Sequence, residues 1–439
     1  MKVASLLLAL AAVLTCLTAC GAQPPQTLVI TGDCEGYSAV QNAPLEALIE
    51  LAQPRAAQFD VLLVGADGLA SRMPGGELAG CELVYSRENA WELRTEDHPP
   101  SARVKNLAQI VVVSAADDPK AAHFIEGDSA AALTAGQLYL RGQRVLQERG
   151  TSQRNGRSVT VYTTQVRLPL SELLPGAGQF CAVGFDGKTR YFRGTDGCFL
   201  ESNQNRMDLL LPGGQTVEGL AGVLADPPGF LITEAYHDAL HFLEQGERVL
   251  VIELDGLGWA MLEAADAPYL KSLHPQKALA CYPPISPVGL AAMLTGETPD
   301  VHGVHDRENR ALACGDLFAK EKASAYIEGS HTLLQTSLQP VLSINDNEVF
   351  KNTQKALENS PNLLFSHFHE IDETAHECGP LARQTLEKIA EIDGLVRALC
   401  EGFGGRVILT ADHGLHEAVD GGTHGAFLLE DMAVPYVIR

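Results

Sequence analysis

Three apolar runs in the C-terminal region constrain the fold most, because each suits a buried strand and is followed by acidic or histidine side chains. The runs are Arg248–Leu254, Asn362–Phe368 and Gly404–Thr410. Continuous apolar runs, as opposed to alternating ones, are typical of parallel strands covered on both faces. The carboxyl ends of such strands form the edge at which open α/β sheets carry their sites. The pattern predicts an α/β domain over 248–439, with a mostly parallel sheet, helices on both faces and a site at that edge.

Carboxylates and imidazoles follow these runs in a combination that suits metal ions. Asp372 and His376 are four positions apart, so they share one face if the segment is helical. Asp412 and His413 are adjacent and point apart, so they can serve two different centres. Mixed carboxylate and imidazole sets suit zinc or another first-row metal. The candidate ligands are Asp255, Asp372, His376, Asp412, His413 and His424.

Ser286 is the candidate nucleophile. It precedes Pro287 and an apolar stretch, and Ser as N-cap followed by Pro as first helical residue is a favoured start for a helix. The N–H groups at such a helix start attract anions. A serine hydroxyl is a poor nucleophile at neutral pH unless a base or a metal activates it. A role for Ser286 as a helix cap alone is the alternative.

Five motifs carry a resemblance to a known family. They are Asp255-Gly256, the segment Ser286–Gly303, Asp372-x-x-x-His376, Asp412-His413-Gly414 and Thr423-His424-Gly425. Together they resemble the alkaline phosphatase superfamily, and within it most closely the nucleotide pyrophosphatase/phosphodiesterase branch. The resemblance covers about residues 248–439 and implies the alkaline phosphatase-like fold for that region.

The resemblance also implies a ligand set and a reaction. The protein would hold two divalent metal ions, expected to be zinc. Asp372, His376 and His424 would bind one ion, and the other would be bound by Asp255, Asp412, His413 and the Ser286 oxygen. Ser286 would attack phosphorus and form a phospho-enzyme, which water then hydrolyses. The expected function is hydrolysis of a phosphodiester or nucleotide pyrophosphate in a small-molecule phosphate ester. The alternatives are a phosphotransferase or phosphomonoesterase of the same superfamily, and a non-catalytic surface-binding lipoprotein.

Two departures from the family pattern concern the substrate. Diesterase relatives usually carry an Asn shortly after the nucleophile, where this chain has Pro287-Val288-Gly289. Phosphomonoesterases add an arginine that grips phosphate. Arg307 and Arg310 are the candidates for substrate binding, and a role as paired surface residues is the alternative.

The N-terminal half is predicted to be β-rich, with a first module at 27–118, a second at 119–212 and a linker at 213–247. Two stretches echo each other, which suggests a duplication, although the V-G-x-D-G pattern that they share is common by itself. The matched segments are Leu28–Gly32, Pro44–Leu48, Val64–Gly68 and Cys81 in the first, and Leu138–Gly142, Pro169–Leu173, Val183–Gly187 and Cys198 in the second.

The same half faintly resembles the molybdopterin-binding domain of sulfite-oxidase-like enzymes. That family holds molybdenum through a cysteine in a basic pocket, and Cys81 and Cys198 lack clustered arginines nearby. We therefore expect no molybdenum, and a binding or spacer module is the favoured interpretation.

The first 26 residues are predicted to be a lipoprotein signal peptide at 1–20 and a tether at 21–26. Lys2 precedes an apolar run from Val3 to Leu14, and small residues lead into Cys20, the predicted lipidation site. This predicts an extracytoplasmic protein anchored to the membrane through lipid on Cys20.

Charge and cysteine content add two limits. A formal net charge of -23, from 32 Lys and Arg against 55 Asp and Glu, disfavours nucleic acid as a partner. The cysteines form no C-x-x-C pair, so a zinc ribbon is unsupported and disulfide pairing cannot be derived. No obligate protein partner can be inferred from the sequence.

Overall fold

The computed structural model describes residues 27–114, 118–127 and 129–439. The predicted signal peptide, Cys20 and the tether lie outside these residues. Across the described ranges, no helix combines the length and the apolar character needed to cross a membrane. All eight cysteines of the described chain are unpaired.

The first half of the described chain is β-rich, as predicted. Its helices are α1 Leu45–Ala52 and α2 Ala135–Arg141, and 3-10 turns lie at Gly75–Glu77, Pro100–Ala102, Leu170–Glu172 and Pro212–Gly214. Its strands are β1 Leu28–Gly32, β2 Tyr37–Ala39, β3 Ala43–Pro44, β4 Phe59–Gly65, β5 Ala70–Pro74, β6 Glu82–Ser86, β7 Ala90–Arg94, β8 Leu107–Ser114, β9 Ala122–Glu126, β10 Ser129–Leu133, β11 Gln143–Arg154, β12 Arg157–Pro169, β13 Gln179–Gly184, β14 Thr189–Arg193, β15 Phe199–Asn203, β16 Arg206–Leu210, β17 Thr216–Val217 and β18 Leu220–Ala225.

Two five-stranded sheets in this half share one topology. Their strand orders are β2-β1-β8-β4-β5 and β10-β9-β18-β13-β14. In each, the second strand is parallel to the third, and the third, fourth and fifth are antiparallel in turn. Each fourth strand ends in the Asp-Gly turn, where Gly68 donates to the Gly65 carbonyl and Gly187 to that of Gly184. This repeat supports the predicted duplication.

One part of the predicted alignment is corrected. The counterpart of β1 is β9, whereas Leu138–Arg141, which the sequence matched to β1, lies in helix α2. The helix forms because Thr134 and Gln137 make a capping box, in which each side chain accepts a hydrogen bond from the other residue's backbone N–H.

The chain divides into two compact units that cut across the predicted modules, because several strands pair with partners distant in sequence. The first unit holds the described residues up to Ala121, Leu133–Leu168 and Phe199–Asp208, and the second holds Ala122–Ala132, Pro169–Cys198 and Leu209–Arg439. The core of the first unit surrounds β1, β4 and β8. The segment 213–247, predicted to be a linker and lead-in, contains strand β18 and a helix, Glu234–Glu244.

The C-terminal region is an α/β domain, which confirms the predicted fold class. Its strands are β19 Val249–Leu254, β20 Gln276–Leu279, β21 Ser324–Glu328, β22 Val341–Leu342, β23 Leu363–Phe368, β24 Arg406–Thr410, β25 His416–Ala418, β26 Gly421–Thr423 and β27 Ala433–Ile438. Its helices are α3 Glu234–Glu244, α4 Trp259–Ala264, α5 Pro268–Ser272, α6 Ser286–Thr295, α7 Pro299–His302, α8 Leu317–Lys320, α9 Asp346–Glu358, α10 Glu370–Cys378, α11 Arg383–Gly402 and α12 Leu429–Met432.

The main sheet is mostly parallel and puts the three predicted strands side by side. Its order is β20-β27-β24-β19-β23-β21-β22, and β24, β19, β23, β21 and β22 are parallel. Helices α3 and α6 pack together, and α9 and α10 both pack on α11. The stretch Trp259–Ser272 forms two short helices and not one long one, because Pro268 disfavours helical backbone at the residue before it.

Within the second unit, the second five-stranded sheet packs against the α/β domain. Cys181, Val183 and Leu224 form one buried cluster with Phe427 and Met432.

Candidate active site

The ends of three adjacent strands bring the predicted ligands together. Asp255 follows β19, Asp412 follows β24, and Asp372 lies in the first turn of α10, which begins just after β23. Because β19 is hydrogen-bonded to both β23 and β24, the three carboxylates meet at one edge of the sheet. Asp372 and His376 share a face of α10, with Asp372 Oδ2 3.4 Å from His376 Nε2, as the spacing predicted.

Two glycines make this close approach feasible. Gly256 has φ +76°, and a Cβ there would lie 2.9 Å from Cα and Cβ of Asp372. A Cβ at Gly289 would lie 2.5 Å from Cβ of Asp412. A side chain at either position would therefore separate the elements that carry the site.

The three histidines are oriented by the main chain. Nδ1 of His413 lies 3.1 Å from the Gly414 carbonyl oxygen, Nδ1 of His424 lies 2.9 Å from that of Pro284, and Nδ1 of His376 lies 2.9 Å from that of Gly422. A carbonyl oxygen only accepts hydrogen bonds, so each Nδ1 carries the proton. In the neutral form, each ring therefore presents the lone pair of Nε2, as ligating histidines do.

Oxygen and nitrogen lone pairs are concentrated at the centre of the site. Asp255 Oδ1, Asp372 Oδ1 and Asp412 Oδ2 are buried and have no hydrogen-bond partner among the described residues. His413 Nε2 lies 3.2 Å from Asp412 Oδ2 and 3.5 Å from Asp255 Oδ1, which places acceptor against acceptor. Such an arrangement is unfavourable unless a cation lies between the groups.

The ligand atoms form two overlapping groups that could each hold a metal ion. One is Asp255, Asp412 and His413, and the other is Asp372, His413 and His424, with the ligand atoms of each group within 4.8 Å of one another. His376 lies beside the second group, its ring centre 5.0 Å from that of His424. Five of the six predicted donors thus lie in these two groups. His376 lies beside them, and His413, predicted for one ion alone, belongs to both.

Burial raises the pKa values of the carboxyl groups, which a cation would reverse, and lowers those of two histidines, which a cation would reinforce. Burial, Asp412 and Asp372 raise the pKa of Asp255 well above its ordinary value, and burial raises that of Asp412. Burial also raises the pKa of Asp372 to about 6, against the opposing effect of His376. It lowers the pKa of His413 and of His424 to about 3, so both rings are neutral at pH 7.

Ser286 is placed beside these donors. Its hydroxyl lies 3.2 Å from His413 Nε2 and donates to it, and the residue is buried. Ser286 is the first residue of α6, and Ile285 takes the N-cap position, one residue earlier than predicted. The side chain is therefore not used as a cap, which removes the alternative role considered for it.

The two candidate arginines differ in position. Arg307 donates from Nη2 to His424 Nε2 over 2.9 Å and lines a cavity of about 120 Å³ together with Ser286, Asp255 and Asp372. Arg310 donates to the Thr332 carbonyl instead. The structure thus associates Arg307 with the site and Arg310 with a surface loop.

A buried network next to Asp255 was not predicted as part of the site. His367 lies between Asp255 and Glu328, and the Tyr326 hydroxyl donates to Glu328. Burial lowers the pKa of His367, but Glu253, Asp255 and Glu328 outweigh it and raise the pKa well above its ordinary value. The signal in the sequence was Glu328 at the end of β21, a strand that the apolar pattern did not reveal.

Replacing Asp372 should have opposite effects on metal binding and on stability. Its pKa in the folded state, about 6, exceeds the ordinary 3.8, so the carboxylate destabilises the metal-free protein as pH rises from about 4 to 6. We expect Asp372→Asn to stabilise the metal-free protein by about 1–3 kcal/mol above pH 6 and to weaken zinc binding. Thermal unfolding of chelator-treated protein at pH 4 and pH 7 measures the first effect. Equal stability of the two proteins at pH 7 would contradict it.

Comparison with known proteins supports the assignment of the C-terminal region. The family model described as type I phosphodiesterase / nucleotide pyrophosphatase matches residues 249–343 and 330–434. No curated protein gives a significant match to the chain. The resemblance of residues 27–212 to molybdopterin-binding domains finds no support in these comparisons.

Solved structures with a similar chain include two enzymes. Phosphonoacetate hydrolase from Sinorhizobium meliloti 1021, in complex with phosphonoformate, has 18% identity and a TM-score of 0.32 over 38% of this chain and 57% of its own. Murine ectonucleotide pyrophosphatase / phosphodiesterase 5, in an inactive form with AMP, has 17% identity and a TM-score of 0.32 over 39% of this chain and 58% of its own. The matched region thus spans less than three fifths of each solved chain.

The motifs at the strand ends, the geometry of their side chains and the family match agree. Residues 249–434 match the family model of the type I phosphodiesterase / nucleotide pyrophosphatase, the branch of the alkaline phosphatase superfamily that the motifs of this chain resemble.

Proposed function

We propose that the protein is a two-metal phosphohydrolase that cleaves a phosphodiester or nucleotide pyrophosphate by attack of Ser286. The observation that carries the proposal is the convergence of three unpartnered carboxylate oxygens and three imidazole Nε2 lone pairs beside one buried hydroxyl. The donor set suits zinc, with Asp255, Asp412 and His413 on one ion and Asp372, His376 and His424 on the other.

The residues account for both halves of the reaction. Ser286 Oγ forms a bond to phosphorus as the bond to the leaving alcohol or phosphate breaks, and water then attacks phosphorus and releases the serine. Ser286 Oγ lies 3.2 Å from His413 Nε2, so a cation held by that nitrogen would also be within reach of the serine oxygen. The bound cations would lower the pKa of the hydroxyl and neutralise charge on the phosphoryl oxygens. Location at the start of α6 directs the hydroxyl to the edge of the sheet.

The predicted lipid anchor completes the proposal. Small residues leading into Cys20 support lipidation at that residue and an extracytoplasmic location at the membrane. Metabolic labelling with a palmitate analogue tests it, with Cys20→Ser as the variant that should lose the label. Labelling that survives this change would contradict the anchor.

A substrate panel tests the catalytic part of the proposal. We expect zinc-loaded protein to hydrolyse bis-p-nitrophenyl phosphate, to lose that activity with a chelator and to regain it when zinc is added back. A p-nitrophenyl sulfate assay is the control for sulfatase activity. Absence of hydrolysis together with absence of bound metal would favour a non-catalytic binding protein.

Phosphomonoester hydrolysis is a second candidate function, and Arg307 is the observation that favours it. Arg307 is a cation in the cavity that also holds Ser286, so its guanidinium can bind a terminal phosphate in bidentate fashion.

Arg307→Ala should therefore reduce kcat/KM for p-nitrophenyl phosphate by about 10–100-fold, and less for the diester. Arg310→Ala is the matched control, because Arg310 is bonded to the Thr332 carbonyl, and it should keep kcat/KM within about twofold. Equal effects of the two variants on both substrates would contradict a phosphate-binding role for Arg307.

A further inference from the structure

His367 is the residue whose placement goes furthest beyond the metal ligands themselves. Its Nε2 lies 3.1 Å from Asp255 Oδ2, and its Nδ1 lies 2.5 Å from Glu328 Oε1. His367 and Glu328 are both buried, with relative exposures of 2% and 0%. Since each ring nitrogen already faces a carboxylate, His367 has no nitrogen left to bind a metal ion or a substrate.

The network extends across three adjacent strands. His367 lies on β23, Asp255 follows β19 on one side, and Glu328 ends β21 on the other. The Tyr326 hydroxyl, also on β21, donates to the second oxygen of Glu328. Glu328 is thus held from one side by Tyr326 and from the other by His367, which fixes the orientation of the imidazole ring.

The consequence falls on Asp255, which has two oxygens with different surroundings. Oδ2 is engaged by His367, whereas Oδ1 is buried, has no hydrogen-bond partner among the described residues and lies 3.5 Å from His413 Nε2. Without His367 the carboxylate could rotate, and either oxygen, or both, could face the cation site.

We propose that His367, held by Glu328, is a positioning residue that directs Asp255 Oδ1 to the metal and limits Asp255 to one coordinating oxygen. This inference rests on the metal site of the proposed function. Hydrogen bonds of this kind, made to the ligands of a metal and not to the metal itself, set ligand orientation and typically change metal affinity by about 10–100-fold when removed.

The test compares zinc binding by wild-type protein, His367→Gln, Glu328→Gln and a control. Ser366→Ala is the matched control, because Ser366 is the buried neighbour of His367 on β23 and bonds to the Thr353 hydroxyl. Zinc dissociation constants are measured by competition with a chromophoric chelator, and the visible spectrum of the cobalt-substituted proteins reports coordination at the site.

We expect wild-type protein to bind two zinc ions. In His367→Gln, the affinity for one of the two ions should fall by about 10–100-fold, and the cobalt spectrum should change. Glu328→Gln should change both in the same direction but less, and Ser366→Ala should match wild-type protein. Activity lost at limiting zinc should return at excess zinc. If His367→Gln does not fold, the result for Glu328→Gln decides.

A purely structural role for His367 would lower the melting temperature of the metal-free variants and leave their zinc affinity and cobalt spectra unchanged. If His367→Gln and Glu328→Gln both had the same zinc dissociation constants as wild-type protein, the positioning role would therefore be overturned. A wild-type protein that binds no zinc would instead overturn the proposed function, and this inference with it.

Discussion

Ser286→Ala should abolish turnover while leaving the fold and the metal content intact. The substitution removes only the hydroxyl of Ser286. The proposed ligands Asp255, Asp412 and His413 lie outside helix α6, so we expect them to keep their positions. We expect kcat to fall by about 10⁴-fold or more, because the step that forms the phospho-enzyme is lost. The measurement is kcat for bis-p-nitrophenyl phosphate together with zinc content per chain.

Thr295→Ala is the matched control for this variant. Thr295 lies at the other end of the same helix α6, is buried and donates its hydroxyl to the Ala291 carbonyl. Its removal should cost about 1 kcal/mol of stability and leave kcat within about twofold. If Ser286→Ala kept more than a tenth of wild-type turnover, Ser286 would not be the nucleophile.

Asp412→Asn should have the second-largest effect, through loss of metal. Asp412 Oδ1 accepts a hydrogen bond from the Gly256 N–H, and its unpartnered Oδ2 faces His413 Nε2. The amide can keep the first contact but removes the charge that the cation needs. We expect loss of zinc from the Asp255 group and a fall in kcat/KM of about 10³-fold, equivalent to about 4 kcal/mol.

The fold should survive this change, which separates metal loss from unfolding. Burial raises the pKa of Asp412, so a neutral side chain removes the cost of burying a charge in the metal-free protein. Asp393→Asn is the control, because Asp393 is a buried carboxylate that accepts from the Tyr269 and Leu270 N–H groups, away from the site. Retained zinc in Asp412→Asn, or equal zinc loss in Asp393→Asn, would contradict the assignment.

The sequence predicted which candidate side chains would lie close together at the sheet edge, because that information is local. Asp255, Asp412 and His413 closely follow an apolar run, and Asp372 and His376 are one helical turn apart, whereas His424 follows the short strand β26. Parallel strands place their carboxyl ends at one edge, so strand order was not needed to bring Asp255 and Asp412 together. What the local pattern did not give was the exact helix start, since Ile285 and not Ser286 takes the N-cap position.

The sequence was less informative where pairing is non-local. Strand β9 pairs with β18, about a hundred residues later, and this pairing assigns β9 to the second sheet. Such a contact leaves no periodic trace, which is why Leu138–Gly142 was matched to β1 in place of Ala122–Glu126. Glu328 was missed for a related reason, because β21 is short and includes Ser324, Tyr326 and Glu328 itself.

Anomalous diffraction at the zinc absorption edge would locate the cations in crystals of active protein. We expect two peaks roughly 4 Å apart, one among Asp255, Asp412 and His413 and one among Asp372, His376 and His424, with Ser286 Oγ beside the first. A crystal of active protein without zinc at these residues, or with Ser286 Oγ directed away from both peaks, would contradict this expectation.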